Sequence, residues 1–291
     1  MIITNKFNLP QQFVDAINSD EQPESRPDVF SVTETLKGVR EIVLSRRHKD
    51  EVTVDVSDMV WLLFGKAVHS MLDSKKESPG DLVEFRLYQP MGRVGLTGKP
   101  DLYRESDQCV VDYKTCSIWK IIHKDFSDWE RQIYLYAWLL GGNGYPVKKG
   151  RVLAFLKDHS KIDAERNKDY PQHSVYVHEF DIDKDKQNEI VTETIRVMMA
   201  AYDLRNTDTP KLPLCSDEQR YHKPNKYAVM KPKQKKAVKV LDTEEAAQAY
   251  ADTIPGATVQ YRPGEDAKCL RYCMVRQFCD HAQSLKEEVD E

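Results

Sequence analysis

Residues 98–114 read GKPDLYRESDQCVVDYK and place two acids eleven positions apart. Asp101 closes one apolar stretch, and two valines run directly into Asp112. This pattern predicts a β-hairpin whose second strand is buried. Because Asp112 and Lys114 are two residues apart, their side chains share one face of that strand. A buried carboxylate and a buried ammonium need partners, which a metal ion and a phosphate would supply. A salt bridge at the end of a sheet is the alternative.

The residue types of this hairpin suit phosphodiester hydrolysis. Mg²⁺ prefers carboxylate and water oxygens, and Asp101 and Asp112 on adjacent strands would grip one such ion, with Mn²⁺ as its substitute. We expect Lys114 to hold the attacking water or to neutralise charge on the phosphate. We expect the backbone carbonyl of Tyr113 to complete the metal shell.

Two helices beside the hairpin carry further polar side chains. His69 lies on a predicted helix before it and is a candidate metal ligand, although a half-buried helix histidine is the alternative. Gln132 and Tyr136 lie on the predicted helix after it, one turn apart and therefore on one face. Both can hydrogen-bond a phosphate or an ordered water, and ordinary helix amphipathicity is the alternative.

In this order, the histidine, GKPD, DYK and QxxxY resemble the motifs of the RecB-like branch of the PD-(D/E)XK nuclease superfamily. The resemblance covers residues 31–157 and implies a restriction-endonuclease-like core, an α/β fold with a mixed central sheet flanked by helices. Glu84 is a candidate for the outer shell of the metal. The resemblance implies His69, Asp101, Asp112 and the Tyr113 carbonyl as metal ligands, Lys114 as the catalytic lysine, and Gln132 and Tyr136 as supports for DNA binding.

Four cysteines in the last third of the chain predict a second metal site. Cys269, Cys273 and Cys279 are closely spaced, and Cys215 is the natural fourth ligand. Thiolates at such spacing suit zinc or an iron–sulfur cluster, and unrelated buried thiols are the alternative. AddB-type helicase–nucleases and CRISPR-adaptation nucleases are similar, since they carry one distant cysteine and a C-terminal group of three around a [4Fe–4S] cluster. This similarity favours [4Fe–4S] over zinc. Those nucleases usually have CxxC, and their distant cysteine usually precedes the core, so this chain departs from them twice.

A lysine-rich stretch precedes the last three cysteines. Residues 221–240 contain seven lysines and no acid, whereas the whole chain has a net charge of −4. Short apolar stretches flank residues 231–236, which predicts a hairpin with a basic tip. Such a tip can contact phosphates without reading bases, and a solvated surface turn is the alternative. The predicted DNA contacts are Lys231, Lys233, Lys235 and Lys236.

The sequence predicts three segments: an extended or mobile N-terminal arm over residues 1–30, a nuclease core over 31–206, and a module over 207–291 that contains the hairpin and the cysteines. No apolar run reaches the length of a membrane helix, and the first residues lack a signal-peptide pattern. We therefore expect no membrane partner and a cytoplasmic protein, in the host cytoplasm if it is phage-encoded.

The predicted function is that of a metal-dependent DNA exonuclease that leaves 5′-phosphates, in recombination, repair or phage DNA processing. The expected substrate is DNA that is single-stranded or has free ends. An endonuclease of the same fold and a non-catalytic DNA-binding or CRISPR-adaptation-like partner are the alternatives. A recombination or single-strand-binding protein partner and the oligomeric state stay open. Because no GxxxxGK[ST] loop occurs, a standalone nuclease is favoured over a helicase–nuclease chain.

Overall fold

A computed structural model describes residues 1–18, 26–73 and 78–290. The chain divides into two compact units, Met1–Thr207 and Asp208–Glu291. The first unit confirms the predicted mixed α/β class, because sheets and packed helices alternate along it. No helix within the described ranges is long and apolar enough to cross a membrane.

The first unit contains ten strands and seven α-helices among its described residues. The strands are β1 (Ile2–Thr4), β2 (Val29–Ser31), β3 (Thr53–Asp55), β4 (Leu82–Val83), β5 (Leu87–Met91), β6 (Val94–Gly98), β7 (Leu102–Arg104), β8 (Cys109–Cys116), β9 (Lys149–Leu156) and β10 (Val175–Asp181). The helices are α1 (Gln11–Asn18), α2 (Val39–Arg47), α3 (Val60–Asp73), α4 (Ile118–Ile122), α5 (Ser127–Gly142), α6 (Lys161–Arg166) and α7 (Lys184–Asp203).

A five-stranded mixed sheet of order β10-β9-β8-β7-β4 forms the centre of this unit. Strand β8 pairs in parallel with β9 and antiparallel with β7, and α4 and α5 lie in the crossover between β8 and β9. The first half of β8 is buried, as its two valines predict. Because Leu102 pairs with Val111, the preceding Asp101 comes level with Asp112 on the neighbouring strand.

The predicted hairpin is formed by β7 and β8. The strand before β7 is β6, and β6 ends earlier than its apolar pattern indicates. Gly98 is the last residue of β6, which belongs to a separate sheet of order β2-β6-β5. Pro100 has no N–H to donate to a strand ladder and lies in the link between the two sheets. Asp101 therefore lies where the chain passes from one sheet to the other.

Helix α5 packs unusually close to both sheets because two glycines face it. A Cβ on Gly150 of β9 would lie 2.3 Å from Ile133 Cγ2, and one on Gly98 of β6 would lie 2.7 Å from Leu139 Cδ1. Ile133 and Leu139 are fully buried. The missing side chains thus set how near α5 comes to the centre of the unit.

The described part of the predicted N-terminal arm is folded rather than extended. Strand β1 pairs in parallel with β3, and Phe13 of α1 packs on a core that contains Ile17 and Val56. Lys66 Nζ donates a hydrogen bond of 2.8 Å to the carbonyl of Ile17. Pro10 immediately precedes the first residue of α1, where proline costs a helix little. Residues 19–25 lie outside the described residues.

The second unit is smaller and contains five strands and three α-helices among its described residues. These are α8 (Asp217–Arg220), β11 (His222–Lys223), β12 (Lys226–Met230), β13 (Lys239–Leu241), α9 (Glu244–Ala251), β14 (Thr258–Arg262), β15 (Glu265–Asp266) and α10 (Asp280–Asp290). Helix α9 covers the antiparallel sheet β13-β12-β14 through Val229, Ala247 and Ala251. The pairing of β12 with β13 confirms the predicted hairpin, and residues 231–236 in its loop are exposed.

Candidate functional site

Asp101 lies in a cluster of candidate metal ligands. His69 of α3, Glu84 and Asp101 offer ligand atoms that all lie within 4.8 Å of one another. His69 Nδ1 is 3.1 Å from Asp101 Oδ1, and the amide of Tyr113 donates a hydrogen bond of 2.6 Å to Asp101 Oδ2. The cluster therefore collects an imidazole and two carboxylates at the passage between the two sheets.

Glu84 is closer to this cluster than its sequence position indicates. Its backbone lies in the left-handed region, with φ of 52°, and its amide donates to the carbonyl of Asp101 at 3.1 Å. Its side chain also pairs with Lys99. A non-glycine residue in this region costs about 1–2 kcal/mol, which is typical of functional sites. The sequence analysis places Glu84 only in the outer shell of the metal, whereas in the structure its carboxylate lies within 4.8 Å of ligand atoms of His69 and Asp101.

A second group forms around Asp112 on β8. Lys114 Nζ lies 2.6 Å from Asp112 Oδ2, so the two side chains share one face of the strand as predicted. Gln132 of α5 contacts both: its Oε1 accepts a hydrogen bond from Lys114 Nζ at 2.9 Å, and its Nε2 donates to Asp112 Oδ1 at 3.1 Å. The same Nε2 lies 3.0 Å from Tyr136 Oη and donates to it. Gln132 thus holds the acid and the lysine in place.

Burial controls the electrostatics of this second group. The side chain of Asp112 is 4% exposed, and its desolvation raises the pKa to about 6, although the Lys114 ammonium lowers it. The negative charge of nearby Asp101 raises it further. Burial, followed by the charge of Asp112, also raises the pKa of Tyr136. The two carboxylates therefore favour additional positive charge between the strands.

The donor set fits a hard divalent cation. Carboxylate oxygens and one imidazole suit Mg²⁺ or Mn²⁺ better than soft metals. The three candidate ligands within 4.8 Å include Glu84, whereas the sequence predicts Asp112 in that place. The roles of Asp112 and of the Tyr113 carbonyl as ligands stay predictions.

Gln132 and Tyr136 are both buried on the inner face of α5. Their hydrogen-bonding groups are directed at each other, and those of Gln132 also at Asp112 and Lys114. The resemblance implies that these two residues support DNA binding. In the structure, Gln132 contacts both charged groups of β8 and Tyr136 contacts Gln132, while their support of DNA binding stays a prediction.

All four predicted cysteine ligands lie in the second unit, but among the described residues only Cys269 belongs to a group of candidate ligand atoms within 4.8 Å, so the four-cysteine site stays a prediction. Burial raises the pKa of the Cys269 thiol to about 12, and negative charge on Asp266, Cys273, Cys215 and Cys279 raises it further. In the described part of the chain, no disulfide joins any cysteine. Thiolates near one another need compensating positive charge, which a metal or an iron–sulfur cluster would supply.

A buried acid beside Cys269 was missed in the sequence. Asp266 accepts hydrogen bonds from Arg220, from His222 Nδ1 at 2.7 Å and from His281 Nε2 at 2.7 Å. Burial alone would raise the pKa of Asp266, but these hydrogen bonds outweigh it and the pKa is lowered. Asp266, Cys269 and His281 also offer ligand atoms within 4.8 Å of one another. The structure therefore adds a mixed oxygen, sulfur and nitrogen donor group to the cysteine cluster.

No protein family and no curated protein matches the chain. Among solved structures, the chain is similar to the crystal structure of SSO0001, with 16% identity and a TM-score of 0.44 over 64% of this chain and 83% of that chain. It is also similar to a phage-related exonuclease from Haemophilus somnus 129PT, with 13% identity and a TM-score of 0.29 over 57% of this chain and 72% of that chain. Both TM-scores are low.

Proposed function

We propose that the first unit is a metal-dependent deoxyribonuclease. The observation that carries this proposal is the pair of buried acids Asp101, immediately before β7, and Asp112, on the neighbouring strand β8. Asp101 lies among candidate metal ligands, and Asp112 contacts a lysine. Buried acids of this kind, one with a raised pKa, are typical of catalytic sites rather than of stabilising ion pairs.

Mg²⁺ or Mn²⁺ would be held by His69, Asp101, Asp112 and the Tyr113 carbonyl. Glu84 is added to these ligands because its carboxylate lies within 4.8 Å of ligand atoms of His69 and Asp101. When bound, the ion supplies positive charge to the phosphate and makes water more acidic. The amide of Tyr113 and the imidazole of His69 keep the Asp101 carboxylate oriented toward this point.

Lys114 is the residue that donates to the reacting phosphate or to the attacking water. Its ammonium is partly exposed and is held by Asp112 and Gln132. A cation that is already oriented loses little when charge develops on the phosphate. Gln132 positions this ammonium, and Tyr136 positions Gln132.

The test is digestion of end-labelled DNA with Mg²⁺ or Mn²⁺, with EDTA as the metal-free control. Asp112→Asn should lower the rate by about 10²-fold or more, as loss of a charged catalytic group does. Asp107→Asn is the matched control, because Asp107 lies in the same hairpin but pairs with Arg104. Equal rates for the wild type and Asp112→Asn would end the proposal and favour a non-catalytic DNA-binding protein.

The proposed activity is exonucleolytic and leaves 5′-phosphates. Circular and linear DNA of one sequence distinguish it from an endonuclease of the same fold, since only the latter cuts the circle. Substrates blocked at either end give the polarity. The proposed setting is recombination, repair or phage DNA processing.

For the second unit, we propose a [4Fe–4S] cluster on Cys215, Cys269, Cys273 and Cys279 with a structural role. The spacing of the last three cysteines supports it, together with the presence of Cys215, Cys273 and Cys279 near enough to Cys269 to act on its charge. Protein purified without oxygen should be brown and contain iron and acid-labile sulfide. Cys273→Ser should lose both, whereas Cys116→Ser in the first unit should keep them. A colourless, zinc-rich protein would favour zinc, with Asp266 and His281 as further donors.

We also propose that the loop lysines of the β12–β13 hairpin contact DNA phosphates. All four lie in an exposed stretch, and the stretch contains no acid to neutralise them. Their contribution depends on salt and not on base sequence. The lysines are Lys231, Lys233, Lys235 and Lys236.

A further inference from the structure

Helix α3 presents large aromatic side chains to solvent. Trp61 and Phe64 are 50% and 56% exposed, and their ring centroids are 5.5 Å apart. Trp119 of α4 is 59% exposed and stacks on His123. Large aromatic side chains exposed in a group are typical of an interaction surface.

The helix that carries Trp61 and Phe64 also carries His69 of the candidate metal centre. Trp61, Gly65 and His69 are four residues apart, so they lie along one face of α3. On this face, Gly65 approaches Thr115, where an added Cβ would be 3.7 Å from Oγ1, and His69 contacts Asp101. The face therefore follows β8 from the candidate metal centre toward its C-terminal end. Trp61 and His69 are about 12 Å apart along the helix axis.

The turn after β9 contacts the side chain of Trp61 and the start of α4, the helix that carries Trp119. Lys157 Nζ lies 4.2 Å from the centroid of a Trp61 ring, and the Lys157 amide donates to the carbonyl of Cys116 at 3.0 Å. The next residue, Asp158, accepts a hydrogen bond of 2.7 Å from the amide of Ile118 and so fixes the start of α4. Trp119 is the second residue of that helix. Both tryptophans thus lie at the ends of β8 and β9.

The two segments that carry these aromatic side chains are basic in sequence, although Lys120 pairs with Asp128 and Asp158 lies at the start of α4. Residues 60–72 and 113–124 contain no acid, and the second stretch contains three lysines. The chain as a whole has a net charge of −4, so this is a local feature. Flat apolar rings combined with ammonium groups match the faces of bases and the charge of phosphates. A lipid surface or a second copy of this acidic chain matches them less well.

We propose that Trp61, Phe64 and Trp119 form a stacking platform for unpaired nucleotides of a single strand whose neighbouring phosphate reaches the Asp101–Asp112 site. This inference rests on the proposed nuclease function and names its substrate as single-stranded DNA. Paired bases in a duplex are already stacked on each other, so their faces are not available to these rings. The platform orients the strand along α3.

The test measures binding of fluorescein-labelled oligothymidylate to the full-length protein in EDTA by fluorescence anisotropy. Trp61→Ala and Trp119→Ala should each weaken binding about tenfold, as the loss of one stacked base does. Trp61→Phe should retain most of the affinity. Leu62→Ala is the matched control, because Leu62 is 49% exposed on the same helix and off the face of Trp61, and it should bind as the wild type does.

Three results would overturn the platform. In the first, Trp61→Ala binds the oligothymidylate as tightly as Leu62→Ala does. In the second, Trp61→Ala loses as much affinity for a blunt duplex as it loses for the single strand. In the third, Trp61→Ala dissociates an oligomer in light scattering while its DNA affinity stays unchanged. Because no cleavage is measured, the platform is tested independently of catalysis. If Asp112→Asn shows that the chain is no nuclease, weaker binding by Trp61→Ala still supports a single-strand-binding platform.

Discussion

Replacing Gly150 with alanine tests how closely α5 must pack to build the site. The added Cβ would lie 2.3 Å from Ile133 Cγ2, whereas nine in ten real Cβ contacts are longer than 3.4 Å. Ile133 must therefore retreat by about 1.1 Å. It is fully buried, and the surrounding interior is close-packed. We expect this overpacking to lower the free energy of unfolding by about 1–3 kcal/mol.

The same displacement should reach the catalytic groups through Gln132, which directly precedes Ile133 in α5. The hydrogen bonds of Gln132 to Asp112 and Lys114 are 3.1 Å and 2.9 Å long. A retreat of α5 by about 1 Å would take both beyond hydrogen-bonding distance. Misplacement of this size costs about 10²-fold in rate. The variant should therefore lose nuclease activity as well as stability.

Urea unfolding followed by tryptophan fluorescence measures the stability, and release of labelled nucleotide measures the rate. Gly141→Ala is the control, because its added Cβ would meet no described atom within 4 Å apart from its chain neighbours and its own helix backbone, and it should gain up to about 1 kcal/mol. Adding Ile133→Ala to Gly150→Ala removes the clashing methyl and should give a coupling energy above about 1 kcal/mol. A change below about 0.5 kcal/mol for Gly150→Ala, or no coupling, would refute the reasoning.

Three further predictions concern charge. In EDTA, the free energy of unfolding of the wild type relative to Asp112→Asn should fall as the pH rises from 3.8 to above 6. The reason is that the folded state keeps a proton on Asp112 that the unfolded chain releases. Urea titrations that give the two proteins the same pH dependence would contradict this. Asp266→Ala should destabilise the second unit by about 3–5 kcal/mol, because it removes the buried acid that pairs with Arg220. Loss of Asp217, the exposed partner of Arg220, should cost under about 1 kcal/mol in the same urea assay. Equal costs for the two changes would count against the buried network. Changing the four loop lysines to glutamine should weaken binding of single-stranded DNA and reduce its salt slope by about 3, and an unchanged slope would exclude phosphate contacts.

Spacing within single elements was enough to predict several contacts of the site. Two residues on a strand put Asp112 and Lys114 on one face, and one helical turn put Gln132 beside Tyr136. Both periodicities follow from backbone geometry alone, so they can be read before any folding is known. The pairing of β12 with β13 is also local, because only eight residues separate the two strands.

Other features depend on which faces meet, and only long-range packing decides that. Glu84 joins His69 and Asp101 because β4 pairs with β7, and Asp266 collects partners from α8, β11 and α10. The close packing of α5 depends on Gly150, whose missing side chain leaves no pattern in the sequence. The spacing of residues within one helix or strand shows which face each side chain occupies. Which partner a side chain meets across that face depends on the free energy of burying the whole surface.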